Sequence, residues 1–201
     1  MPRVKTEKKR REILDAAAVV FAKRGYHATN VSHIADHLGI GLGTFYRYFK
    51  SKLDVFHAVI DEVMTEVAKV LAEESATASE TLEAYRAQVE RIGRMLFDAF
   101  EKNRALARLL FVEAPGISAE LNEKLRATTA FFGIATAAYL DNGVRRGFLR
   151  AGLDSEITAL AINGIIFEGV RHLAEVEGDR TALLERWISA ILRLMFEGVA
   201  A

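Results

Sequence analysis

The sequence predicts an all-α protein of about nine helices, on three observations. Only two prolines, Pro2 and Pro115, fall in 201 residues. Apolar residues recur at three- and four-residue spacing along most of the chain, and no alternating apolar-polar run between turn residues is long enough to propose a sheet. With 51% hydrophobic residues, a chain of this length can bury a core without covalent help.

A first helix is expected from about Thr6 to Arg24, because Ile13, Leu14, Ala17, Val20 and Phe21 fall on one stripe, and Gly25 ends it as a left-handed cap. Two short helices follow, about Val31 to Leu38 and Leu42 to Tyr48, with Asn30 placed to cap the first. A long helix opens near Ser51, a suitable N-cap, and continues to about Glu74. Segment 79–101 sets Leu82, Tyr85, Val89, Ile92, Leu96 and Ala99 on one face, and segment 103–113 adds Leu106, Leu109 and Leu110 before Pro115 and Gly116 punctuate the chain. A helix of roughly thirty residues then runs from about Ser118 to Arg146 and stops at Gly147. Two last helices, about Asp154 to Val176 and Asp179 to Gly198, begin with acidic residues that suit a helix N-terminus.

The net charge of zero hides an asymmetry. Residues 1–52 carry 11 Lys+Arg against 4 Asp+Glu and residues 53–201 carry 16 against 23, so the chain divides into +7 and −7. A basic head on an acidic body suits nucleic-acid binding, since phosphate contacts need clustered cations, although an ordinary solvated face gives the same count. The absence of cysteine excludes disulfides, thiolate metal sites and a cysteine nucleophile, and fits a reducing compartment. The N-terminus is charged with no apolar segment of signal type behind it, and other apolar runs are broken by charges before membrane-spanning length. A cytoplasmic protein with no membrane partner is expected.

Residues 31–50 meet the requirements of a helix-turn-helix. Ala35 is small where two helices must cross closely, Gly39 sits where the turn calls for a positive φ, and Ile34, Leu38, Ile40, Phe45 and Tyr48 supply packing. The second helix leaves Thr44, Tyr46 and Arg47 exposed and is followed by Lys50 and Lys52, a mixture suited to base edges and phosphates. Such units also occur as plain packing elements, so an all-helical interaction adaptor without DNA binding is the alternative, and those exposed residues argue against it.

The set Gly25-Tyr26, Ala28-Thr29, Ile34-Ala35, Gly39-Ile40, Gly43-Thr44-Phe45-Tyr46, Tyr48-Phe49 and Ser51-Lys52 resembles the N-terminal signature of TetR-family repressors over about residues 10–56. The remainder matches that family only in length and helical pattern. The resemblance implies a DNA-binding domain over 1–52 and an effector-binding and dimerisation domain over 53–201, a homodimer on a palindromic double-stranded operator, and release by a small-molecule effector. It puts Gly43, Thr44 and Arg47 near base edges, Tyr46, Tyr48 and Lys52 near phosphates, and Thr29 and Asn30 beside the DNA backbone. The ring of Tyr48 also suits the core. Gly41-Leu42 replaces the family's usual Ser-Lys, removing a capping hydroxyl and a positive charge. The arm of Lys5, Lys8, Lys9, Arg10 and Arg11 could compensate in the minor groove, or serve only as a solubilising end.

The same resemblance makes Phe97, Phe100, Phe131, Phe132 and Phe167 candidates to line an effector pocket. Asn163 lies in an apolar run, where a buried amide needs a ligand, a neighbouring helix or a second subunit as partner. Arg104 and Arg108, one turn apart, could meet an anionic head group or simply face solvent. A greasy pocket near basic residues suits a lipophilic effector such as an acyl thioester. For the dimer, Ala161, Gly164 and Ile165 on one helix and Leu184, Trp187, Ile188, Ile191, Leu192 and Met195 on the last make more apolar surface than one subunit needs. Neither enzyme nor cofactor is expected: there is no HExxH, nucleophile elbow or phosphate loop. His33 and His37 are spaced for one metal but lack a third ligand, so no metal is expected.

Overall fold

The computed structural model describes residues 2–102, 107–176 and 178–198, and these contain helices and no strand. The α-helices are α1 (Pro2–Arg24), α2 (Val31–Leu38), α3 (Leu42–Tyr46), α4 (Lys52–Ala72), α5 (Leu82–Lys102), α6 (Ala119–Arg145), α7 (Ser155–Glu175) and α8 (Arg180–Phe196), with a π-helical turn at Leu109–Glu113. That turn is closed by the Ala114 N–H donating to the Leu109 carbonyl at 2.7 Å, a five-residue step that periodicity alone does not predict. The capping chemistry accounts for the other boundaries. Ser51 Oγ accepts from the Asp54 N–H at the start of α4, and Asp154 and Asp179 accept from Ile157 and Ala182 at the starts of α7 and α8. Gly147, with φ +75°, closes α6 with the Phe148 N–H bonded to the Gly143 carbonyl.

The chain divides into two compact units. The first comprises Met1–Thr65 and Asn103–Asn122, so it extends past the boundary expected at residue 52 and takes in most of α4 and the π turn. Its core is the α1 stripe of Ile13, Leu14, Ala17, Val20 and Phe21 packed with Ile34, Phe45, Phe49 and Phe56, all buried. Phe21 meets Phe56 edge-on at 5.0 Å and Tyr26 lies 4.6 Å from the same ring. Each such fully buried large side chain contributes about 1.5–3 kcal/mol, which is what holds the short α2 and α3 against α1 and the start of α4.

The second unit comprises Glu66–Lys102 and Glu123–Ala201. Here α5 packs on α7 and α8, and α7 on α8. Trp187 lies flat against Gly169, where a Cβ would come within 2.2 Å of the indole nitrogen, and that nitrogen donates to the Ile165 carbonyl at 3.3 Å. The loop before α5 is pinned by Gln88, which is buried and bonds Ser79, Ser75 and Glu74. Helix α7 is long and apolar enough to cross a membrane by composition. Its apolar residues divide between an inner face at Ile162 and Ile166 and an outer face at Ile157 and Leu160, which explains the high mean hydropathy.

Candidate nucleic-acid interface and ligand cavity

In the first unit the turn between α2 and α3 is built by two hydrogen bonds. Gly39, at φ +66°, donates to Asp36 at 3.2 Å and Ile40 to Ala35 at 3.0 Å, the paired pattern that a left-handed residue makes at a helix end. Ala35 is buried, so α3 crosses α2 without a side chain between them. At the other end of α2 the cap is made by His33, whose Nδ1 accepts from the Asn30 N–H at 3.1 Å. That bond fixes the imidazole and explains a histidine that otherwise invites a metal reading.

Helix α3 presents Gly43, Tyr46 and Arg47 to solvent, with Thr44 and Tyr48 half-buried and Phe45 and Phe49 fully buried beneath. It ends two residues earlier than expected, at Tyr46. Arg47 and Tyr48 sit on a tighter turn, bonded to Thr44 at 3.3 Å and Phe45 at 2.9 Å. Neither Gly41 nor Gly43 has a positive φ, and a Cβ on either would meet nothing within 4 Å. No packing within the chain calls for glycine there; what the bare backbone leaves is room for close approach from outside.

Two residues expected at the DNA backbone are spent inside the chain. Thr29 is fully buried and its hydroxyl donates to the Gly25 carbonyl at 2.7 Å, satisfying the end of α1 rather than a phosphate. The Lys52 ammonium donates to the Tyr26 carbonyl at 2.9 Å and lies 4.2 Å from the Tyr26 ring centroid, so it braces the α1–α2 loop. Three of the basic N-terminal residues are also engaged: Lys9 pairs with Glu12, Arg11 with Asp15 and Glu62, and Arg10 stacks 4.8 Å over Phe49. Asn30 remains exposed at the start of α2.

In the second unit a partly open cavity of about 90 Å³ is lined by α5, α6, α7 and α8. Phe97, Phe100, Phe132, Asn163 and Phe167 line it as expected from the sequence. Phe131 does not: it is 51% exposed, with its ring centroid 5.8 Å from that of Phe132. Arg108 belongs to the first unit, where it pairs with Glu113 at 3.5 Å, and Arg104 lies outside the described residues. Ile188, Ile191, Leu192 and Met195, expected at a dimer face, form part of the cavity wall, because the buried stripe of α8 closes on α5, and Ile191 and Met195 also line an outer groove with Ala161, Ile165 and Leu194. Trp187 and Leu184 are half-buried, while Ala161 and Gly164 are exposed and Ile165 is partly covered.

The lining's polar groups are nearly all occupied. Tyr85 donates to the Tyr139 carbonyl at 3.0 Å and Tyr139 to the Glu74 carbonyl at 2.8 Å; burial pushes the Tyr85 hydroxyl up to about 12, so it stays a neutral donor. Glu90 is the only ionic residue of the described lining and is held by Arg94, whose guanidinium is raised above its ordinary value by hydrogen bonds to Glu185 and Glu90. Thr136 donates to Asn163 Oδ1 at 2.9 Å, while Asn163 Nδ2 is buried with no hydrogen-bond partner among the described residues. Composition alone could not single out Tyr85, Gly93, Thr136 or Met195, which line the cavity by fold rather than by motif.

Residues 13–59 match the family model for bacterial regulatory proteins of the tetR family, from the middle of α1 to the first two turns of α4. The chain is a TetR-family regulator. It is 29% identical to the fatty acid metabolism regulator protein of Bacillus subtilis, over 94% of both chains, and 30% identical to the transcriptional activator FasR of Mycolicibacterium smegmatis, over 63% of this chain and 58% of that one. Among solved structures it is similar to the FadR regulator of Bacillus subtilis in complex with stearoyl-CoA, with a TM-score of 0.77, 26% identity and 94% and 98% of the two chains covered. These relatives are transcriptional regulators by name, not enzymes. The TetR-family match falls on the unit that carries α3, and similarity to the Bacillus proteins extends through the unit that holds the cavity.

Proposed function

We propose that this TetR-family chain is a transcriptional repressor of the bacterial cytoplasm that binds a palindromic operator as a homodimer and is released when a fatty-acyl thioester enters the second unit's cavity. The observation that carries the effector class is that cavity: it is partly open to solvent, lined mainly by apolar and aromatic side chains and provided with one spare hydrogen-bond donor. Its likeness to a regulator solved with stearoyl-CoA supports the same class. Measured by where a water-sized sphere can sit, one water needs about 10–15 Å³, so the cavity takes on the order of six to nine methylene-sized groups before its walls must move.

On the DNA side, Arg47 reads base edges with Gly43 and Thr44, and Tyr46, Lys50 and the Tyr48 hydroxyl hold phosphates. The dimer is made by the outer faces of α7 and α8, where Ile157, Leu160 and Leu194 are exposed and a Cβ on Gly164 would meet nothing, leaving room for a second copy's helix. The recognition helices of such a dimer must lie about 34–36 Å apart to enter successive major grooves. Helices α4 and α6 each continue in sequence from one unit into the other, so a ligand that favours one arrangement of the cavity helices biases that spacing.

The test is selection of random duplex DNA by the full-length protein, beside Arg47→Ala, followed by titration of the selected complex with acyl-CoA of increasing chain length. Enrichment of a palindrome that the variant fails to select, and its release by acyl-CoA at micromolar concentration, is the expected result. Enrichment of no sequence overturns the operator reading, and a complex indifferent to every acyl-CoA overturns the effector reading.

A further inference from the structure

We infer that Asn163 reads the carbonyl oxygen of the acyl group, so that the regulator distinguishes a neutral acyl thioester from an equally greasy chain without that oxygen. The inference deepens the acyl-thioester reading above and rests on it. Its basis is a hydrogen-bond inventory of the cavity wall. The hydroxyls of Tyr85 and Tyr139 are given to backbone carbonyls, Thr136 gives its proton to Asn163 Oδ1, and the Glu90 carboxylate is taken by Arg94. What the described lining leaves over is Asn163 Nδ2, on a side chain that is 5% exposed. A buried amide nitrogen with two N–H groups and no acceptor is rare in native proteins, and at a cavity wall the acceptor is supplied by the guest.

The electrostatics narrow the guest further. No lysine or arginine lines the cavity among the described residues, and its one ionic group is itself a carboxylate. An anionic carboxylate buried here would face Glu90 without a cation, whereas a thioester carbonyl is neutral and accepts from Nδ2. Thr136 acts as a positioning residue, because its bond to Oδ1 leaves the amide's donors, not its acceptor, free for the guest. The acyl carbonyl is therefore a fixed point, and the depth of apolar wall beyond it sets chain-length preference.

The probe pair is an S-acyl coenzyme A and the S-alkyl coenzyme A of the same length, which differ only in the carbonyl oxygen, titrated calorimetrically into the full-length protein from C8 to C18. The wild-type protein is expected to bind the acyl form roughly tenfold more tightly or better, the cost of leaving a buried donor unpaired. Asn163→Leu should bring the two forms within about twofold, with its melting curve showing that it folds, and Thr136→Val should narrow the preference while Thr136→Ser keeps it. Equal binding of both forms by the wild type overturns the role of Asn163 and leaves the acyl-thioester reading standing, and needs no variant to be seen. A preference that survives in Asn163→Leu likewise overturns it. If neither form binds at any length, the acyl-thioester reading falls and this inference falls with it.

Discussion

Glu113 and Tyr26 are joined by a hydrogen bond that spans 87 positions of sequence: the carboxylate at the end of the π turn accepts from the Tyr26 N–H at 2.7 Å. The same carboxylate stands over Gly25, where a Cβ would come within 2.8 Å of it, and Gly25 is at φ +76°. The left-handed end of α1 thus has glycine for two reasons, backbone conformation and the carboxylate above it. Glu113→Ala leaves a half-buried N–H unpaired and should cost about 1–3 kcal/mol in denaturant unfolding. Glu113→Gln keeps an acceptor oxygen and should recover most of that loss.

Structural and reading roles within the helix-turn-helix unit should separate by measurement. Thr29→Val removes the donor that satisfies Gly25 and should lower stability by about 1 kcal/mol, with any loss of operator affinity following from stability. Lys52→Met should likewise destabilise, because it removes a charged donor from the Tyr26 carbonyl. Arg47→Ala is expected to leave the melting curve within about 0.5 kcal/mol of wild type while weakening operator binding by about 1–3 kcal/mol. If Arg47→Ala binds the selected operator as well as the wild type does, Arg47 does not read bases.

The helix-turn-helix was legible because its constraints are local: Ala35, Gly39 and the aromatic spacing all lie within twenty residues, where capping and periodicity act. Thr29 was not, because a hydroxyl folding back four residues onto Gly25 looks in sequence like one at an exposed helix start. That Ile188, Ile191, Leu192 and Met195 line the chain's own cavity was not legible for another reason. A 3.6-residue stripe says that one face is buried but not what buries it, and here the chain's own cavity helices do. Phe97, Phe100, Phe132 and Phe167 were named with help from the family resemblance and Asn163 because a lone amide stands out in an apolar run, whereas Gly93 and Met195 carry no such mark.

Acid should reveal the brace before α5. Arg91 hydrogen-bonds Glu74, at 2.6 Å, and holds its carboxyl below the ordinary glutamate value, with Gln88 assisting. The folded-state value is depressed, so this contribution is complete above the unfolded glutamate value and is lost as pH falls through the lowered one. Glu74→Gln should therefore flatten the acid limb of melting temperature against pH and leave its slope near neutrality unchanged.

The contact of Trp187 with Gly169 leaves no slack. Gly169→Ala puts a methyl group where the indole ring lies, and Trp187 must rotate away from the Ile165 carbonyl to admit it. Overpacking of this kind costs about 1–3 kcal/mol, more than the helix propensity of alanine returns. A lower melting temperature with red-shifted emission from the single tryptophan is expected; a more stable protein with unchanged emission would show that the ring has room.

Gly93 is the opposite case. It lies in the middle of α5 and lines the cavity, yet a Cβ there would meet nothing within 4 Å. Glycine inside a helix costs roughly 0.5–1 kcal/mol relative to alanine, so a glycine kept where a side chain would fit sacrifices stability for open space. Gly93→Ala should raise stability by about that amount. Gly93→Leu should fill the cavity, so that the longest acyl-CoA bound in a calorimetric series becomes shorter by several carbons while short chains still bind. Uniform weakening across all lengths would mean that the space beside Gly93 is not where the chain lies.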